Sequence, residues 1–245
     1  MKFSFRKAVQ FLSFVAFPIT LNYFSPYVIY MAAGEGIING SFIIFGLLLL
    51  TAVFFGRAFC SYICPAGAAQ DYMCGVNGKP SKGGWRNIVK YVVWVPWILG
   101  IAATAYTAGG YKGINPLFST ESGISVDEPS RYIIYFGILL IIIIMSFVIG
   151  KRAACHSICW MAPFMVIGGW LGRVLRLPHL HLKAENNNCI DCMKCSRNCP
   201  MSIDVHSHVK SGNMHDNECI LCGDCARGCE KKTISRHFGI DGRKR

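Results

Sequence analysis

Four stretches of the chain carry no charged residue: Ala8 to Gly34, Gly36 to Gly56, Tyr91 to Tyr111 and Tyr132 to Gly150. Each is about as long as the roughly 20 residues that take a helix across a hydrocarbon core of about 30 Å. The pattern therefore predicts four transmembrane helices. Core helices of a large soluble protein would look similar, but 245 residues leave too little other chain to cover four such segments on every side. Pro18, Pro26 and Pro96 fall inside the windows, which lipid-embedded helices tolerate when neighbours satisfy the freed carbonyls. The first window is too long for a signal-peptide core of about 7 to 15 residues and lacks a small-residue cleavage site, so it is expected to remain as a helix. A fifth uncharged run, Ala153 to Gly172, contains His156, Pro163 and the pair Gly168-Gly169. It reads as an interfacial or re-entrant segment.

Composition sharpens this picture. Apolar residues make up 53% of the chain and charged residues 16%, and the mean hydropathy is +0.38. An ordinary soluble globule carries about 25% charged residues, and a disordered chain is far less apolar. The formal charge of +12 would suit nucleic acid, but its distribution argues otherwise. Lys2, Arg6 and Lys7 precede the first window; Arg57, Lys79, Lys82, Arg86 and Lys90 lie between the second and third; Lys151 and Arg152 follow the fourth. The loop around Glu35 has no basic residue, and the loop from Gly110 to Arg131 has only Lys112 and Arg131. The positive-inside rule places both termini and the second loop in the cytoplasm, which predicts a multi-pass protein of the inner (cytoplasmic) membrane that contacts lipid and not nucleic acid.

Eight of the 13 cysteines crowd between residues 189 and 229. Cys189, Cys192, Cys195 and Cys199, followed by Pro200, spell CxxCxxCxxxCP; Cys219, Cys222, Cys225 and Cys229 repeat the spacing, with Glu230 where proline would stand. Three thiolates on one tight loop grip three corners of a cubane, and the fourth reaches the other cube. The expected ligand sets are Cys189, Cys192, Cys195 and Cys229 for one [4Fe-4S] cluster and Cys219, Cys222, Cys225 and Cys199 for the other. Paired CxxC motifs also bind zinc, but zinc leaves the third and fourth cysteines of each motif unexplained. Ile190, Ile203, Val205, Ile220 and Ile234 are expected to shield the sulfurs from water.

A second pair of motifs follows the second and fourth windows: Cys60-Ser61-Tyr62-Ile63-Cys64-Pro65 and Cys155-His156-Ser157-Ile158-Cys159-Trp160. Arg57 and Arg152, Cys60 and Cys155, and Cys64 and Cys159 are each 95 residues apart, the mark of a duplicated helical hairpin. Cysteines at i and i+4 share a helix face, and a parallel repeat would bring the two faces together. Cys60, Cys64, Cys155 and Cys159 are thus candidates for an additional metal, cluster or redox-thiol site, against the plainer reading of cysteine as a small buried apolar residue. Cys74 has no partner in either scheme.

With these motifs the chain resembles the membrane-bound polyferredoxin family of NapH, NosR and CcoG over essentially its whole length. The resemblance rests on Gly56-Arg57, on Cys60 to Gly67, on the second CxxxC and on the double ferredoxin signature. It implies a mainly α fold: a transmembrane domain over residues 1–182 built as a duplicated hairpin of four helices, then a small α+β bacterial-type two-cluster ferredoxin domain over 183–245. By size, and without an added flavin-binding domain, the likeness is closest to NapH. Trp160 departs from the family's second CxxxCP.

The chain shows no GxGxxG after a strand, no P-loop, no Ser-His-Asp set and no HExxH, so the expected chemistry is one-electron transfer. The resulting expectation is an electron-transfer subunit, a quinol dehydrogenase component, exchanging electrons among its clusters, a quinone or quinol, and partner iron-sulfur, flavin or cytochrome subunits. Arg57, Asp71, Arg152 and His156 are the candidate quinone or proton residues, with Glu185 a further proton acceptor. Three alternatives remain: a CcoG-like copper reductase or assembly factor holding Cu(I) on the CxxxC thiols, a NosR-like donor to a flavin across the membrane, and a structural anchor for a ferredoxin.

Overall fold

The computed structural model describes residues 5–81 and 83–241; Lys2 and Lys82 of the basic flanks lie outside them. The chain is mainly helical. In order the elements are α1 (Phe5–Val15), α2 (Phe17–Thr20), α3 (Pro26–Gly34), β1 (Ile37–Asn39), α4 (Gly40–Phe55), α5 (Ala58–Tyr62), α6 (Pro65–Val76), α7 (Arg86–Thr107), β2 (Gly113–Asn115), α8 (Pro129–Val148), α9 (Ala153–Ser157), α10 (Ala162–Val174), β3 (His179–Ala184), α11 (Lys194–Arg197), α12 (Val205–Ser211), α13 (Asp224–Arg227) and β4 (Ile234–Gly239).

Among the described residues two helices, α7 and α8, are long and apolar enough to cross a membrane, and α4 is a shorter apolar helix. The first window is not one helix. Its prolines start helices: Pro18 stands in the first turn of α2 and Pro26 in the first turn of α3, behind the Ser25 cap. A ring that removes a backbone donor fits the first turn and breaks an interior. Pro96 alone lies inside a long helix, α7. In the second window the first residues form β1, which pairs in parallel with β2, and Asn39 caps α4 by accepting from the amide of Phe42 at 3.0 Å. The run Ala153 to Gly172 is broken between α9 and α10.

The duplicated segments exchange partners. One copy comprises α4, α5 and α6, the other α8, α9 and α10; α10 lies along α4, and α6 lies along α8. The first of these pairings is close because Gly168 and Gly172 face backbone: a Cβ on Gly168 would sit 2.8 Å from the Ala52 Cβ, and one on Gly172 would collide with the Val53 carbonyl oxygen. Small residues four apart permit this close approach of two helix backbones.

The C-terminal unit is built on the antiparallel pair β3–β4, in register from His179↔Gly239 to Ala184↔Ile234. Pairing thus begins at His179, ahead of the expected boundary at 182/183. Val205, Ile220 and Ile234 are buried as expected, whereas Ile190 is exposed.

Candidate iron-sulfur and thiol sites

The two CxxCxxC loops fold alike. The residues either side of the middle cysteine, Asp191 and Met193 in one loop and Leu221 and Gly223 in the other, all have positive φ between 53° and 74°. A short helix, α11 or α13, then carries the third cysteine of each loop. Cys189, Cys192 and Cys195 line one cavity together with Cys229. Cys219, Cys222 and Cys225 line a second together with Cys199, beside Ile203, Val205 and Ile220. The fourth cysteine of each motif therefore lies with the first three of the other.

Burial pushes the Cys219 thiol up to about 11 and the Cys225 thiol up to about 12, so an unligated site would hold neutral thiols. Metal binding would release those protons. Four soft sulfur donors around each cavity fit an iron-sulfur cube.

The CxxxC motifs meet. Cys60 and Cys64 of the first copy and Cys155 and Cys159 of the second belong to one packed cluster, the first three of them buried. The exchange of helices carries into their contacts. Gln70 of α6 donates to the Cys155 sulfur at 3.2 Å, while Met165 of α10 lies with its sulfur 3.8 Å from that of Cys60. Gln70 and Met165 are themselves 95 residues apart, so each copy supports the other copy's first cysteine with the same position. Burial, reinforced by Cys155 and Cys60, pushes Cys159 up to about 12. Cys64 caps α6 through its sulfur, and Trp160, in the proline's place, donates to the Phe24 carbonyl at 2.8 Å.

Both repeat arginines are buried against these thiols. The Arg57 guanidinium donates to Glu218 and to the Asn217 carbonyl, each at 2.9 Å, and Lys90 also donates to Glu218. Arg152 pairs with Asp71 at 2.6 Å and donates to the Cys60 carbonyl at 3.0 Å. Arg6 joins Asp71 to Asp224 of the C-terminal unit. Burial works to raise the carboxyls of Asp71 and Glu218, but the cations outweigh it and hold both below their ordinary values. Four buried cations, Arg6, Arg57, Lys90 and Arg152, thus share three acids, of which Asp224 is the least enclosed. Arg57 Nε and Nη2 and Arg152 Nη2 are buried without a hydrogen-bond partner. Unmatched buried N–H groups and excess positive charge beside four cysteines fit an anionic thiolate-bound centre.

Arg57, Asp71 and Arg152 are therefore engaged in ion pairs: Arg57 with Glu218 of the C-terminal unit, Asp71 and Arg152 with each other. His156 donates from Nδ1 to the Asn87 side-chain oxygen at 2.7 Å, and burial keeps its imidazole neutral down to about 4. Glu185 is exposed and Cys74 half-buried. Sequence reading missed Arg6, Lys90, Glu218, Gln70 and Met165. The 95-residue offset was an available signal for the last two.

Comparison with known proteins agrees with this chemistry. Residues 40–83 and 132–178 match a family model described as a 4Fe-4S binding domain, and residues 188–234 match a 4Fe-4S dicluster domain. The first match brackets Cys60, Cys64, Cys155 and Cys159. The chain is similar to the "Putative electron transport protein YccM" of Escherichia coli K12, 22% identical over 180 residues, covering 67% of this chain and 45% of that one. It is also similar to the "Methylamine utilization ferredoxin-type protein MauN" of Paracoccus denitrificans, 24% identical over 182 residues, covering 71% of this chain and 60% of that one. The matches thus span about half the length of these curated relatives. No solved structure matches. The chain carries 4Fe-4S ferredoxin-type domains.

Proposed function

We propose that this electron-transfer chain is a membrane-anchored relay, NapH-like in role. It would hold two [4Fe-4S] clusters in its ferredoxin unit and a third centre on Cys60, Cys64, Cys155 and Cys159, and exchange electrons with a quinone or quinol and a partner redox subunit. In this reading Cys189, Cys192, Cys195 and Cys229 hold one cluster, and Cys219, Cys222, Cys225 and Cys199 the other. The clusters supply one-electron capacity when bound. What supports the third centre is the exchanged hairpin: four thiols contributed equally by two copies, flanked by the buried Arg57 and Arg152. Arg57 acts on both sides, since its charge is felt by Cys60 and Cys159 and also by Cys219. The pairs of Arg57 and Lys90 with Glu218, and of Arg6 with Asp224, fix the ferredoxin unit against the thiol site. Four spans with both termini on the cytoplasmic side remain part of the proposal, supported by α7, α8 and the apolar α4 and by the basic flanks.

The Cys60–Met165 sulfur contact favours one second reading. Thiolate and thioether together suit Cu(I), as a metal reductase or assembly factor would require.

Iron and acid-labile sulfide analysis of anaerobically purified full-length protein, with EPR, tests both. The relay expects about twelve irons, falling to about eight in Cys60→Ser and in Cys155→Ser. Copper in place of the last four irons would establish the second reading. Iron-free protein would sink both.

A further inference from the structure

A cavity of about 560 Å³ opens beside the thiol site, within the half of the molecule read as membrane-embedded. Cys64 and Trp160 line it where α5 passes into α6 and α9 towards α10, while Ser125 and Arg131 line it near the start of α8. Ile142 and Arg131 both face it, eleven residues apart on α8, so it extends about 16 Å along that helix at 1.5 Å per residue. Its other wall is the break in the first apolar window. There the chain leaves α2, turns through Asn22–Phe24 and restarts at Pro26. Carbonyls freed by this break are taken up by distant groups: Ile19 by the Ser125 hydroxyl at 2.6 Å and Phe24 by Trp160 at 2.8 Å. Non-helical backbone inside a membrane domain persists where it is packed against protein or lines a cavity, and interrupted spans commonly frame a ligand site.

None of Arg57, Asp71, Arg152 or His156 lines this cavity. We propose that it is the binding chamber for the ring and first tail units of an isoprenoid quinone. The inference rests on the relay reading and gives its lipid-soluble partner a location. Three features select the occupant. Largely apolar walls in the half of the molecule read as membrane-embedded call for a molecule that partitions into lipid. Aromatic side chains, Trp160 and Phe24, offer faces for a flat ring. The Arg131 guanidinium supplies N–H donors for a carbonyl oxygen away from the thiols, and Cys64 puts the other end of the chamber in contact with the proposed third centre. An acyl chain would use the first feature alone.

The test is photolabelling with an azidoquinone on full-length, cluster-loaded protein in nanodiscs, with EPR of the dithionite-reduced clusters recorded on each sample. Label is expected on the segments around Phe24, Ile138 and Trp160. Filling the chamber with Ile138→Trp, or from the opposite wall with Leu21→Trp, should lower labelling at least tenfold. Ile141→Trp, on the exposed side of α8, should leave it unchanged, and the cluster signals should be equal in all of them. Labelling around Arg57 and His156, or equal competition by a long-chain alcohol lacking a ring, would overturn the chamber. Absent labelling with intact cluster signals would also overturn it while leaving the relay standing. Loss of the cluster signals from the unmutated protein would instead overturn the relay.

Discussion

Asp71 shows how single residues hold the two units in place. Its carboxylate accepts from Arg6, Gln10 and Arg152 at once, and Arg6 continues to Asp224. Asp71→Asn removes the charge that two buried guanidinium groups share, and breaking such a buried pair costs about 3–5 kcal/mol, to be read as a fall in melting temperature at neutral pH. The pH dependence has a definite sign. Burial raises the Asp71 carboxyl, the nearby Arg152 and Arg6 more than compensate, and the net shift is below the ordinary 3.8. Its contribution is then fully present above that value and is lost only as the pH falls through the lower, folded value. The deficit of Asp71→Asn should be equal at pH 8 and pH 5.5; a deficit that shrinks between them would show the carboxylate is not held by these arginines. The residue types at this point were legible in the chain, because Asp71 and Arg152 stand out as charges beside apolar runs. Their role was not, since the partners are separated by 81 residues for Arg152 and 65 for Arg6, and no local pattern pairs them.

At the scale of elements, the duplicated hairpin was readable from its 95-residue offset, whereas the way its copies interlock was not. The pair Gly168-Gly169 marked an interfacial or re-entrant segment in the sequence, yet Gly168 and Gly172 are the surface on which α10 meets α4. Gly172→Val forces the pair apart at the Val53 carbonyl. Overpacking of this kind typically costs about 1–3 kcal/mol, and here it would also move Met165 away from Cys60. Thermal unfolding in detergent should show Gly172→Val destabilised, while Gly46→Ala, a glycine of α4 with open space at its Cβ position, should be neutral or slightly stabilising. Equal effects of the two substitutions would remove close α4–α10 packing as the reason for these glycines. The broken first window has a comparable cause. Hydropathy sees 27 uncharged residues, but Pro18 and Pro26 each begin a new helix and the turn between them is satisfied by side chains from α4 and the loop before α8, which a window average does not register.

For the whole molecule, the order of sites along a path follows from which cysteines share a cavity. Cys199 lines the cavity of the second CxxCxxC loop, whose Cys219 directly follows Arg57's partner Glu218 in sequence, while Cys229 lines the outer one. With the fourth ligands exchanged, the cluster of Cys219, Cys222, Cys225 and Cys199 sits against the hairpins and the other faces away from them. An unexchanged arrangement would instead close each motif on its own cluster. Paired substitutions separate the two, because residues acting as one unit are non-additive. With exchange, Cys199→Ser combined with Cys222→Ser removes no more iron than either alone, about four atoms, whereas Cys199→Ser combined with Cys192→Ser removes about eight. Without exchange, the second combination is the one confined to a single cluster. Iron counts from the two double variants, prepared anaerobically alongside their parents, decide between the arrangements.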